Sequence, residues 1–275
     1  MHYIIFLIIF SFLKSQINPG ITFISGHQSN IAIIIDNNEN IINTWNFNNL
    51  IRSWLSPDSI FIALIRDGEG NRRLQHLNWH GEIIWNLLLD ENICQMHHES
   101  LILPNNNLLL LCREDILAED NIYFNENITI DKIVEISMLE HNQYEIVWEW
   151  KFYDHLMQSA DPDIPNYGNP SENPQLFNIN AYDNYIDFSH LNCIDYNQEL
   201  DQIILSSRSL NEIFIIDHST TTEEASSHTG GLYGMGGDFL YRWGNPANYN
   251  RGDIEDQKLY APHGVNWIKP NYPGH

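Results

Sequence analysis

Along the chain, apolar positions come in short runs rather than long helical periods. Ile31–Ile35, Ile60–Ile65, Leu108–Cys112, Ile146–Phe152, Ile203–Ser207, Ile213–Asp217 and Phe239–Trp243 are β-rich segments of strand length, separated by Asn, Asp, Gly and Pro. Long segments with a 3.6-residue period are missing, apart from one helical turn predicted around Phe152–Gln158. The pattern predicts an all-β fold of many short antiparallel strands.

Two internal echoes refine that expectation. In the first, a strand closes on tryptophan at Trp45, Trp85, Trp148 and Trp243. In the second, a histidine opens a hairpin: His98 before Leu101–Asn105, His190 before Cys193–Asn197, and His263 before Val265–Asn271. Repeats of roughly 40 to 50 residues built from short strands are the signature of a β-propeller. Each echo then becomes one blade, with the tryptophan strand outermost and the histidine opening the innermost strand of the next. Residues at the starts of inner strands gather at one mouth of the central channel, which would bring three distant histidines together. Long loops are expected over Asp154–Phe188 and His218–Asp238.

Composition narrows the class. With 43% hydrophobic and 12% aromatic residues, 275 positions are ample for a packed core. The formal charge is −23, from 36 acids against 13 Lys plus Arg. A field of that sign repels phosphate backbones and anionic lipid, so neither nucleic acid nor a membrane surface is expected as a partner. Cys94, Cys112 and Cys193 show no CxxC spacing and no disulfide framework. At most one pair can bridge, and the simplest reading is three buried small apolar side chains.

The apolar run Tyr3–Leu13 has the length of a signal-peptide core but falls short of a bilayer span. Residues 1–16 are therefore expected to be a signal peptide and 17–275 a propeller domain, exported to the periplasm or secreted. The closing Asn271–His275 reads as a turn entering a strand that does not follow, so the ring is expected to lack its last blade or blades.

The densest pattern runs from Asp187 to Trp267. It contains DFSHLN at Asp187–Asn192, LSSR at Leu205–Arg208, IIDHSTTTEEASSHTGG from Ile215, LYRWGNP at Leu240–Pro246 and the late Ala261-Pro262-His263. Upstream, Gly81–Trp85 and His97-His98-Glu99 followed by Leu103-Pro104-Asn105 belong to the same set. Together and in order, these elements resemble the bacterial aryl-sulfate sulfotransferase family. The resemblance implies a six-bladed propeller whose central channel moves a sulfuryl group from a phenolic sulfate ester to a phenol. It implies a ping-pong route through a sulfated histidine, with no nucleotide donor and no cofactor. Carried over by motif, His263 is the nucleophile, while His98 (or its neighbour His97), His190, Asn192 and Arg208 bind the sulfate oxygens.

The residue types suit that chemistry. Charge in a sulfuryl transition state collects on peripheral oxygens, so preorganised donors do most of the work. Arg208 offers a planar fork that keeps its proton, and imidazoles can both donate and titrate. Other readings stay open here. Arg208 could pair with Glu212 or Asp217, and three convergent histidines could hold a transition metal, although Asn and Arg beside them suit an oxyanion better. Gly230–Gly237 lacks the Lys and Ser/Thr of a phosphate loop and reads as a flexible loop near the channel mouth. Asn106 stands where a hairpin needs positive φ, which Asn tolerates. The competing function is a propeller that binds a ligand or a protein without turnover.

Overall fold

The computed structural model describes residues 20–26, 29–55, 61–123, 126–140, 143–182, 187–270, 272 and 274. The expected signal peptide, residue 60 at the edge of an expected strand, and most of the closing turn lie outside these residues.

Among the described residues, four antiparallel sheets follow one another along the chain. The first comprises β1 (Ile21–Ser25), β2 (Ile31–Asp36) and β3 (Ile41–Asn46). The second comprises β4 (Leu50–Leu55), β5 (Phe61–Arg66), β6 (Arg72–Leu77) and β7 (Ile83–Leu88). The third comprises β8 (Gln95–Ile102), β9 (Leu108–Ile116), β10 (Ile128–Met138) and β11 (Tyr144–Lys151). A small parallel pair, β12 (Leu156–Met157) and β13 (Phe177–Asn178), interrupts the long connection to the fourth. That last sheet comprises β14 (Leu191–Asn197), β15 (Gln202–Ser207), β16 (Glu212–Asp217) and β17 (Tyr241–Trp243). In each sheet the spatial order is the chain order, and the first strands of neighbouring sheets touch one another. This is a propeller-like arrangement of four blades, with β1, β4, β8 and β14 innermost.

The burial pattern follows from that stacking. Side chains alternate across a strand, so a middle strand faces one neighbouring blade with its odd residues and the other with its even ones. In β9, Leu108, Leu110 and Cys112 pack toward the second blade, with Ile62, Leu64 and Leu74. Leu109 and Leu111 pack toward the fourth, with Leu191, Leu205 and Phe214. In β5, Ile62 and Leu64 face the third blade, while Phe61 and Ala63 meet Ala32, Ile34 and Trp45 of the first. One apolar core therefore fills each gap between blades.

Trp45, Trp85, Trp148 and Trp243 all lie on outermost strands, as expected. Two of these indoles reach across to the next blade: Trp45 Nε1 donates to Asn78 O at 3.2 Å, and Trp148 Nε1 to Thr220 Oγ1 at 3.2 Å. Each run named from the sequence overlaps a strand, with Phe239 and Leu240 lying before β17 and Phe152 after β11, and the expected helical turn is a 3₁₀ turn at Phe152–His155. Asn106 has φ +67°, so the β8–β9 hairpin closes without glycine.

Three expectations need correction. Cys94 and Cys112 form a disulfide with a Cα separation of 5.1 Å, so only Cys193 is a free buried thiol. Pairing in the β8–β9 hairpin sets Met96 opposite Cys112, which brings the preceding Cys94 within bridging range. The segment after His263 is not a strand. It runs beside β14, held by side chains: Cys193 Sγ to Val265 O at 3.3 Å, and Trp267 N to Asp195 Oδ2 at 2.8 Å. The Gly230–Gly237 loop is close-packed at its end, whereas Leu232 and Gly234 in its middle are open to solvent. A Cβ at Gly236 would sit 2.2 Å from Ser227 O, and one at Gly237 would sit 2.0 Å from Ala225 O.

Candidate active site

The inner strands of the second, third and fourth blades all break register. The breaks fall between Leu50 and Arg52 in β4, between Met96 and Ser100 in β8, and between Leu191 and Cys193 in β14. A bulge leaves residues unpaired and re-aims their side chains. Arg52 borders the first break, His97 and His98 lie inside the second, and Asn192 lies inside the third. His98 (φ +54°) and His190 (φ +39°) are left-handed, a conformation costing about 1–3 kcal/mol for a residue with a side chain. Such strain persists only where surrounding contacts over-determine it.

Three imidazoles come together here, His98 from its bulge, His190 from just before β14 and His263 from the segment beside that strand. The ring centroids of His98 and His190 are 5.1 Å apart, those of His98 and His263 6.5 Å, and those of His190 and His263 6.3 Å. One ring nitrogen from each lies within 4.8 Å of the others. His98 and His190 are half-buried, and His263 is exposed.

Each ring is held from behind. His263 Nδ1 meets the Ala261 carbonyl at 3.1 Å; a carbonyl can only accept, so Nδ1 is the donor, and in the neutral ring Nε2 holds the lone pair. His190 Nδ1 is hydrogen-bonded to Asp187 Oδ2. Asp187 also pairs with Arg113 at 3.0 Å, and the His190 bond, helped by Arg113, holds its carboxyl below the usual range. Asn192 Nδ2 donates to Pro262 O at 2.7 Å and its Oδ1 accepts from Ser206 at 2.6 Å, which fixes the residue preceding His263.

His98 is supported by a chain of polar groups. Its Nδ1 lies 2.6 Å from His97 Nδ1, and His97 Nε2 lies 2.8 Å from Asp131 Oδ1. The buried Asp131 also accepts from Ser189 Oγ at 2.7 Å and Leu191 N at 2.5 Å, so it anchors the stretch bearing His190 as well. A carboxylate accepting this many bonds leaves His97 Nε2 as a donor. Burial, then the nearby His97, His190 and Arg52, push His98 down to about 3, so its ring is neutral at neutral pH.

Two cavities meet at the histidines. The smaller, about 340 Å³, is bordered by Trp54, Glu99, Asn192 and Cys193. Burial pushes the Cys193 thiol up to about 12, so it is no nucleophile. The larger, about 570 Å³, is bordered by His97, His190 and Met96 and by Arg66, Arg72 and Arg113. Arg52, His98 and His263 line both. Arg208 N donates to His190 O at 3.1 Å, but the Arg208 side chain is exposed and lines neither cavity. Neither acid considered for Arg208 takes it: Glu212 binds Arg242 at 2.6 Å, and Asp217 Oδ2 accepts from Tyr233 N at 3.1 Å.

A family model described as Arylsulfotransferase (ASST) matches residues 14–223. The chain belongs to the arylsulfotransferase family. The matched stretch holds His97, His98, His190, Asn192 and Arg208, and His263 follows it. Among curated proteins none matches the chain. Among solved structures it is similar to a hydrazine synthase of Kuenenia stuttgartiensis, at 12% identity and a TM-score of 0.45, over 79% of this chain and 57% of that one. Among the described residues, no helix is long and apolar enough to cross a membrane.

In this arylsulfotransferase-family chain, sequence reasoning missed Arg52, Arg66, Arg72, Arg113 and Asp131. Arginines on separate strands converge only once the blades are stacked. Asp131 carried little signal, being one of three charged residues, with Lys132 and Glu135, in a strand (Ile128–Met138) that proves to be mostly buried.

Proposed function

We propose that this protein is an aryl-sulfate sulfotransferase working by a ping-pong route through His263, with no nucleotide donor. The observation that carries this reading is the convergence of His263, held at Nδ1 by the Ala261 carbonyl, with His98 and His190. In the first half, the Nε2 lone pair of His263 attacks the ester sulfur while the S–O bond to the aryl group breaks. The phenolate keeps the bonding pair and takes a proton from His190 or through His98. In the second half, an acceptor phenol gives up its proton to the same group, its oxygen bonds to sulfur, and the S–N bond breaks. Arg52 and Arg208 bear on the sulfate oxygens; Arg208 starts one hydrogen bond from His190 and must turn inward to do so. The six-bladed ring, and export of the chain, belong to the same proposal. The Cys94–Cys112 bridge supports export, because such bonds persist in oxidising compartments.

The test is mass spectrometry of intact protein after incubation with an aryl sulfate. A sulfated peptide containing His263, lost in His263→Ala together with phenol release, is the expected result. Phenol release that survives His263→Ala, with no sulfated peptide, overturns the reading. A second reading follows from the same three nitrogens, which could hold a transition metal. Tetrahedral zinc needs nitrogens about 2.0–2.1 Å from the ion, so a separation of up to 4.8 Å would have to close, against the repulsion of Arg52.

A further inference from the structure

The larger cavity holds more positive charge than one sulfate group needs. A sulfuryl group at the three imidazoles sits at the waist between the cavities, within reach of Arg52. Arg66, Arg72 and Arg113 line only the larger one, and no acidic side chain lines it among the described residues. Their neutralisation is incomplete. Arg113 pairs with Asp187, yet its Nε is buried with no partner. Arg72 meets Glu91 at a loose 3.7 Å. Arg66 spends a donor on Gly70 O at 2.6 Å and has no carboxylate among the described residues. In a chain of net charge −23, such a concentration of guanidinium groups is a local inversion of the field. Ile51 and Met96 add an apolar wall. Its volume of about 570 Å³ leaves room for a substituted ring beside the sulfate.

We infer that the larger cavity binds a second anionic group carried on the aryl ring, so that the preferred substrates are dianionic aryl sulfates such as the sulfate ester of a hydroxybenzoate. The apolar wall takes the ring, and the guanidinium forks of Arg66, Arg72 and Arg113 take the distal carboxylate or sulfate in paired hydrogen bonds. This rests on the sulfotransferase reading for the sulfuryl end of the ligand; the distal end rests on the arginines alone.

The experiment compares phenyl sulfate with 4-sulfooxybenzoate on the whole protein, by calorimetric binding and by turnover. The benzoate ester is expected to bind at least about tenfold more tightly, as for a charge-assisted pair in a partly enclosed site. That preference is expected to collapse in Arg66→Gln/Arg72→Gln and to be partly kept in Arg66→Lys/Arg72→Lys. Equal affinity of the folded wild-type protein for both esters overturns the inference, as does an undiminished preference in the Gln variant. Preferential binding without turnover of either ester strikes the sulfotransferase reading and leaves this one standing. Turnover of both with no preference does the reverse.

Discussion

His97 Nδ1 and His98 Nδ1 face each other at 2.6 Å, which ties the protonation of one ring to the tautomer of the other. While His97 is neutral, its Nδ1 accepts from His98 and leaves His98 Nε2 bare toward the cavity. When His97 gains a proton it donates instead, and the hydrogen of His98 moves to Nε2. A proton can thus reach the cavity although His98 itself stays neutral. His97→Gln removes that shuttle while keeping a donor for Asp131. Turnover of phenyl sulfate is expected to fall about 100-fold or more, the usual worth of a positioned acid. 4-Nitrophenyl sulfate should be far less affected, because its phenolate leaves without a proton. Equal losses on both esters would show that His97 only fills space.

Asn192 is read from the sequence as a sulfate donor; one of its two amide N–H groups is committed to Pro262 O. Asn192→Asp keeps the shape and the Ser206 bond yet sets an acceptor against that carbonyl. The expected outcome is a drop in kcat of roughly 10- to 100-fold, from displacement of His263, with KM little changed. Steady-state kinetics separate the two. A rise in KM at unchanged kcat would restore Asn192 to direct ligand binding.

Arg52 and Arg208 differ in the same way. Arg52 borders both cavities and acts on His98, whereas Arg208 is exposed outside them. Arg52→Gln should therefore lower kcat/KM by about tenfold more than Arg208→Gln, given the strength of a charged hydrogen bond in a partly enclosed site. The opposite order in parallel kinetics would mean that Arg208, once turned inward, carries more of the sulfate charge than Arg52.

These residues also mark how far the sequence could be read. The tryptophan strands were legible from their two-residue alternation, and His98 and His190 from the strand-like run that follows each, although His98 lies in a mid-strand bulge of β8 rather than at its start. The arginines were not, because Arg52, Arg66, Arg72 and Arg113 sit on four different strands, where each alone resembles an ordinary solvent-facing charge. Their meaning appears only when β4 and β8 lie side by side. The stretch after His263 misled for a related reason. Val265–Asn271 has strand-like residues, but the ladder there is replaced by side chains of β14.

The Cys94–Cys112 bridge closes a loop of 18 residues around the hairpin that carries His97 and His98. Cys94→Ala/Cys112→Ala is expected to cost about 3 kcal/mol of stability by the chain-entropy estimate. Denaturant titration checks this, and reduction of the wild-type protein should reproduce most of the loss. A variant as stable as wild type would mean that the blade contacts alone hold the hairpin.

Acid should weaken the fold through two histidines kept neutral inside it. His76 lies 5.2 Å from the Trp85 ring with its Nε2 unpartnered, and burial pushes it down to about 4. His98 is pushed down to about 3, by burial first. An unfolded chain protonates both near pH 6.5, so below that value it binds more protons than the native state. Stability from these groups is complete above about 6.5 and is lost progressively as pH falls toward their folded values. His218 contributes no slope in that window. Burial opposes its charge but the Glu135 and Asp201 bonds prevail, so its raised value places its own loss at higher pH. The half-buried carboxyls Glu99 and Asp154 are raised, by burial first, and act in the opposite sense at the acid end of the window. Substitution isolates one term from this sum. His76→Phe keeps a ring against Trp85 and removes the titration, so wild type should lose about 2 kcal/mol more than the variant on going from neutral pH to about pH 5. Denaturant midpoints at the two pH values measure the difference. Parallel acid slopes in the two proteins would mean that His76 takes up its proton without leaving the fold.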